Sequence, residues 1–203
     1  MRSILFVTTA ALALAACNSQ KTEGAETGLG NGTAATKVED TAAQGVGAAT
    51  APLANSVEAF VTGAAISDMF EIEAGKIAAD KAKSPEVKAF AAMMVKDHTA
   101  TTAKLKATLA SAKVQVTPPT DLDDRRRGMI ENLRAASAAD FDKVYLDQQT
   151  AAHQEALALM KSYADDGENA PLKKLAADTA PIVQKHYDEV QKLAKAGADG
   201  THS

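Results

Sequence analysis

The sequence predicts an all-α fold: a bundle of four long helices, with an additional short helix before the third long one. Three observations carry this. From Asn55 onward apolar residues recur at three- and four-residue spacing, the period of a helix with one buried face. The stretches open on capping residues, as at Ser84-Pro85-Glu86, and are separated by Pro-, Gly- or Asp-rich connections. Hydrophobic residues make up 46% of the chain but aromatics only 4%, so alanine supplies much of the apolar surface and favours close helix contacts.

The first 54 residues read differently. Arg2 precedes an apolar run from Ile4 to Ala16, the pattern of a secretory signal and too short for a permanent membrane span. The run ends in Leu14-Ala15-Ala16-Cys17, which resembles the lipobox of bacterial lipoproteins. That resemblance implies a signal peptide over 1–16, lipidation of Cys17 and attachment to a membrane through the acyl chains. Asn18 after the cysteine resembles known lipoprotein sorting signals, and that resemblance implies the outer membrane of a bacterial cell envelope, with the protein facing the periplasm. Residues 17–54 are rich in Gly, Ala, Thr, Ser and Gln, and no aromatic residue occurs between Phe6 and Phe60. Such a segment buries too little apolar surface to offset its ordering entropy, so a disordered tether is expected. Its mean span is on the order of 30 Å.

The folded domain is expected over 55–197, with a disordered tail over 198–203. Asn55 with Glu58 reads as a capping box opening a helix that runs to about Lys83. Ser84 caps the second helix, with Pro85 in its first turn and Glu86 at its positive end. Val87, Ala91, Met94, His98, Leu105 and Leu109 share its apolar stripe, and Pro118-Pro119 lie in the loop beyond it. Asp121 to Ser137 reads as the short helix, with Leu122, Met129, Ile130 and Leu133 inward. A long helix follows from Ala139 to Tyr163, then a turn at Asp165–Asn169 and a last helix from Ala170 to Ala196. Pro181 inside that helix is expected to kink it. Four amphipathic helices joined in this way bury their stripes only against one another.

Several segments together resemble the exported bacterial family known as domain of unknown function 4142, which is grouped with ferritin-like helical bundles. They are Glu71-Ile72-Glu73-Ala74-Gly75-Lys76-Ile77-Ala78, Val87-Lys88-Ala89-Phe90-Ala91, Met94-Val95-Lys96-Asp97-His98, Phe141-Asp142-Lys143-Val144-Tyr145-Leu146, His153-Gln154-Glu155 and Pro181-Ile182-Val183-Gln184-Lys185-His186. The resemblance covers Val57 to Leu193. It implies a ferritin-like four-helix bundle and no reaction.

Three histidines fall one to a long helix, His98, His153 and His186, each on an apolar stripe. Imidazoles facing a bundle interior from separate helices can converge on a metal. Glu73, on a stripe with Met69 and Ile77, is the candidate carboxylate ligand, with Glu71 as the alternative. Nitrogen donors with a carboxylate suit zinc, copper(II) or non-haem iron. A ferritin-type di-iron centre needs a glutamate three residues before a histidine, twice. This chain has Val95, Thr150 and Val183 at those positions, which argues against a ferroxidase. The competing reading is that each histidine is satisfied by a hydrogen bond and fixes helix register, with Asp97, Glu73 and Tyr145 as partners.

The net charge of −4 gives no electrostatic reason to expect nucleic acid as a partner. The run Arg125-Arg126-Arg127 reads as a solvated face, because Asp121 and Asp123 precede Arg125 and Arg127 by four residues. No serine elbow, phosphate loop, paired cysteines or glycine fingerprint is present, so nothing in the sequence points to an enzyme. The leading expectation is a lipoprotein whose bundle serves as a binding or envelope-maintenance module; no protein partner can be named. The alternative is a metal-binding bundle for storage, buffering or redox protection.

Overall fold

The computed structural model describes residues 55–199, with side chains to residue 197. The expected signal peptide, the lipidation at Cys17, the tether and the end of the tail lie outside these residues. Five helices account for the described chain: α1 (Val57–Lys81), α2 (Pro85–Ser111), α3 (Asp124–Ala135), α4 (Phe141–Asp166) and α5 (Ala170–Asp199). No strand occurs among the described residues, as the all-α reading requires. None of these helices is long and apolar enough to cross a membrane.

Local chemistry sets the helix ends. Ser56, one residue later than expected, caps α1 by accepting from the Ala59 amide at 3.2 Å. Asn55 instead accepts from the Ser162 hydroxyl on α4 at 3.0 Å. The Asp142 carboxylate accepts from the Lys83 and Ser84 amides, fixing the α1–α2 turn, and Ser84 caps α2 as predicted. Asp123 caps α3 at the Arg126 amide, so that helix is shorter than the sequence suggests at both ends. Helix α5 runs through Pro181 as a single element. Proline cannot donate to the Ala177 carbonyl four residues back.

Helices α1 and α2 form one antiparallel hairpin and α4 and α5 another, with α1 also against α4 and α2 against α5. Phe60 at the start of α1 stacks on Tyr163 near the end of α4, and Lys81 at the other end of α1 sits over Phe141 at the start of α4. The chain from Ser111 to Phe141 therefore travels the length of the bundle, the long crossover of ferritin-like folds. Helix α3 lies on this crossover and packs on α1 and α4.

The core has two apolar halves. Phe70, Phe90, Met94, Leu133, Phe141, Tyr145 and Val190 belong to one. Phe60, Val61, Leu105, Leu157, Tyr163, Leu172 and Val183 belong to the other. Between them each long helix contributes polar side chains at one level: Asp68 and Glu71 from α1, His98 from α2, Gln149 and His153 from α4, His186 from α5. All six are buried.

Candidate metal centre

The polar layer is built by helical periodicity. His98 lies one turn beyond Met94, His153 two turns beyond Tyr145, and His186 between Val183 and Val190, so each histidine occupies a core position of its helix. Their rings make a nearly equilateral triangle, with centroids 5.7 Å apart for His98–His153 and 5.5 Å for each of the other pairs. Each ring offers one nitrogen within 4.8 Å of the other two.

One nitrogen of each ring is held from behind. His98 Nδ1 lies 2.8 Å from Asp68 Oδ1, His153 Nδ1 lies 2.9 Å from the Gln149 carbonyl oxygen, and His186 Nε2 lies 3.0 Å from Asp97 Oδ2. A carbonyl can only accept, so His153 carries its proton on Nδ1; the carboxylates make the same assignment for the other two rings. The remaining nitrogens, His98 Nε2, His153 Nε2 and His186 Nδ1, are buried and have no hydrogen-bond partner among the described residues. Three oriented imidazoles with unpartnered lone pairs resemble a ligand set in which outer groups fix tautomer and direction.

Burial is the largest influence on every ring, and it disfavours the imidazolium. For His98 the hydrogen bond to Asp68 and the charges of Glu71, Asp68 and Asp97 together outweigh it, leaving the pKa above the ordinary value. His153 stays below its ordinary value despite Glu71. His186 falls to about 4, because burial and the neighbouring His98 and His153 overcome its bond to Asp97. Neutral imidazole is the form that binds metal.

The carboxylates differ from expectation. Glu73, the first candidate ligand, lies on the outer side of α1 and pairs with Arg134 at 2.7 Å. A shift of two positions along a helix turns a side chain by roughly 200°, and Glu71 is the residue that faces inward. Its Oε1 lies 3.7 Å from His153 Nδ1, on the side of the ring facing away from the free Nε2, and its Oε2 has no partner. The Tyr145 hydroxyl is also buried without a partner, and burial followed by Glu71 pushes its pKa well above the ordinary range. Asp97 bonds His186, as the hydrogen-bonding expectation required.

Sequence reasoning missed two residues. Asp68 holds His98 and also accepts from the hydroxyls of Thr101 at 2.8 Å and Thr102 at 2.9 Å. Its stripe, with Ala64, Glu71 and Gly75, is the buried one. Arg126, expected on a solvated face, is 5% exposed; its guanidinium lies 4.8 Å from the centre of the Phe70 ring and donates to Glu155 Oε2 at 2.9 Å. Arg125 pairs with the same glutamate and Arg127 with Asp124, not with the expected aspartates.

Fold and site together define a class: an all-helical bundle with a full-length crossover and a three-histidine layer at its middle. The chain belongs to the family described as domain of unknown function (DUF4142), which matches residues 42–193. No curated protein matches it. Among solved structures it is similar to CopM in the Cu(II)-bound form, at 18% identity and a TM-score of 0.60, over 70% of this chain and 97% of that one. At that identity the likeness is one of fold.

Proposed function

We propose that the bundle holds a transition-metal ion through His98, His153 and His186, for storage, buffering or redox protection. The observation that carries this is the set of three buried, unpartnered ring nitrogens on rings whose other nitrogens are already engaged. Histidines serving only to fix helix register need no such lone pairs, because a buried unpaired acceptor costs ~1–3 kcal/mol. A neutral nitrogen set of this kind suits copper(II) and zinc. The bound Cu(II) of the similar structure makes copper the first ion to try.

Asp68 and Asp97 act as orienting residues behind their rings, and Glu71 supplies negative charge beside His153. The chain is proposed to work as a lipoprotein anchored through Cys17, facing the periplasm, with the outer membrane favoured by Asn18. The test is metal content after loading with copper, zinc or iron and desalting, for the parent and His153→Ala. Near-stoichiometric metal in the parent and its loss in the variant are expected, with circular dichroism confirming that both are helical. A parent that retains no metal overturns the reading and returns the bundle to a role in envelope maintenance.

A further inference from the structure

Resting on the metal reading above, we propose that the ion reaches the centre through a cleft between α2 and α5, with the Asp97 carboxylate as its first, transient ligand. The three carboxylates around the histidines differ sharply in access. The Glu71 side chain is 1% exposed, Asp68 10% and Asp97 31%. Asp97 also borders open space: a cleft of about 390 Å³ whose walls include Ala100 and Lys104 from α2, Pro181 and Lys185 from α5, and His186 at its floor. The space beside His98 and Asp68 is about 20 Å³ with mostly apolar walls, room for one water and not for a hydrated cation.

The geometry gives Asp97 two uses. Its Oδ2 accepts from His186 Nε2, no hydrogen bond to Oδ1 occurs among the described residues, and the residue lines the cleft. A cation arriving from solvent meets this carboxylate before any imidazole. Rotation of the His186 ring then brings its Nδ1 lone pair to the ion, and the proton stays on Nε2 throughout. His186 is the one ring of the three that borders this cleft. Lys104 and Lys185 flank the mouth, so replacing one with an acid strengthens the local pull on a cation.

The test is stopped-flow binding and chelator-driven release of copper(II) with the full chain. Ala100→Trp places a bulky ring over the mouth from an exposed helix position without touching any nitrogen donor. A narrowed passage raises the barrier in both directions and leaves the end states alone. Association and release are therefore expected to slow together by about tenfold or more, with Kd unchanged within about twofold. Lys185→Glu is expected to speed association, and the gain should shrink with added salt. Ala139→Trp, at the far end of the bundle, serves as the control and is expected to leave both rates as in the parent. Parent-like rates in Ala100→Trp overturn the access route while leaving the metal reading intact. A weakened Kd without slowed exchange overturns it too, since the ring would then be disturbing the donors. A parent that binds no copper overturns the metal reading, and this inference with it.

Discussion

His98 on α2 and His153 on α4 meet across the diagonal of the bundle, with ring centroids 5.7 Å apart and planes at 75°. Diagonal helices make little backbone contact in such a bundle, so side chains alone fill the distance at this level. Two imidazoles and the third from α5 do so, where an apolar layer would have used leucine or phenylalanine. The arrangement sacrifices apolar burial at mid-height for a set of directed nitrogens.

Copper(II) is expected to raise the melting temperature of the domain. Metal at one hundred times its Kd adds about 2.7 kcal/mol to a folded state that alone binds it. For a domain of this size that corresponds to a rise of roughly 5–10 °C, read by differential scanning calorimetry. His153→Ala should show no copper-dependent rise.

Asp68→Asn is expected to weaken copper affinity by about 10- to 100-fold while leaving the stoichiometry at one ion. The amide oxygen still accepts from His98 Nδ1, but the negative charge that raises the basicity of the ring is gone. Competition titration against a chelator of known affinity reads the change. An unaltered Kd would mean that Asp68 serves only its threonines.

Metal-free protein should lose stability on acidification from pH 6.5 towards 4. The sign follows from His186, whose folded pKa is lowered to about 4 from 6.5. In that window the unfolded chain takes up a proton that the folded one refuses, so stability drops as the pH is lowered. The full effect of this group is on the order of 3 kcal/mol. His153, also lowered, adds in the same sense. His98 is raised and acts oppositely: it stabilises the fold below pH 6.5, and that contribution is lost as pH rises through its folded value. Urea unfolding at pH 7, 5.5 and 4.5 measures the slope, and equal stability at all three would contradict it.

Gly75→Ala is expected to destabilise the domain by about 1–3 kcal/mol, the usual cost of overpacking a tight contact. A methyl group there would stand 2.9 Å from the Ala91 carbonyl oxygen and 2.8 Å from Val95 Cγ2. The α1–α2 crossing leaves no room for a β-carbon. Thermal unfolding of the variant reads the effect.

Periodicity made the helices and the three inward histidines legible, because a residue on an apolar stripe must face the core. It put Glu73 ahead of Glu71, the buried one, since α1 carries apolar residues nearly all round: Met69 and Ile77 mark one stripe, Ala64, Ala74 and Ala78 another. Small residues marked the truly buried face, where Gly75 touches α2. Reading that face as the close-packed one would have selected Glu71 and Asp68 together. Arg126 was hidden for another reason. Its burial depends on where the crossover lays α3 against Phe70 and Glu155, a tertiary relationship that no local spacing carries.

The three histidines lie far apart in the chain: His98 on α2, His153 on α4, and His186 on the last helix. A chain emerging with its N-terminus first presents Asp68 and His98 early, yet lacks the third imidazole until more than half of α5 has followed. No partial product can assemble the triad. On the metal reading proposed above, the ion is therefore taken up only once the last helix is in place, wherever the polypeptide finishes folding.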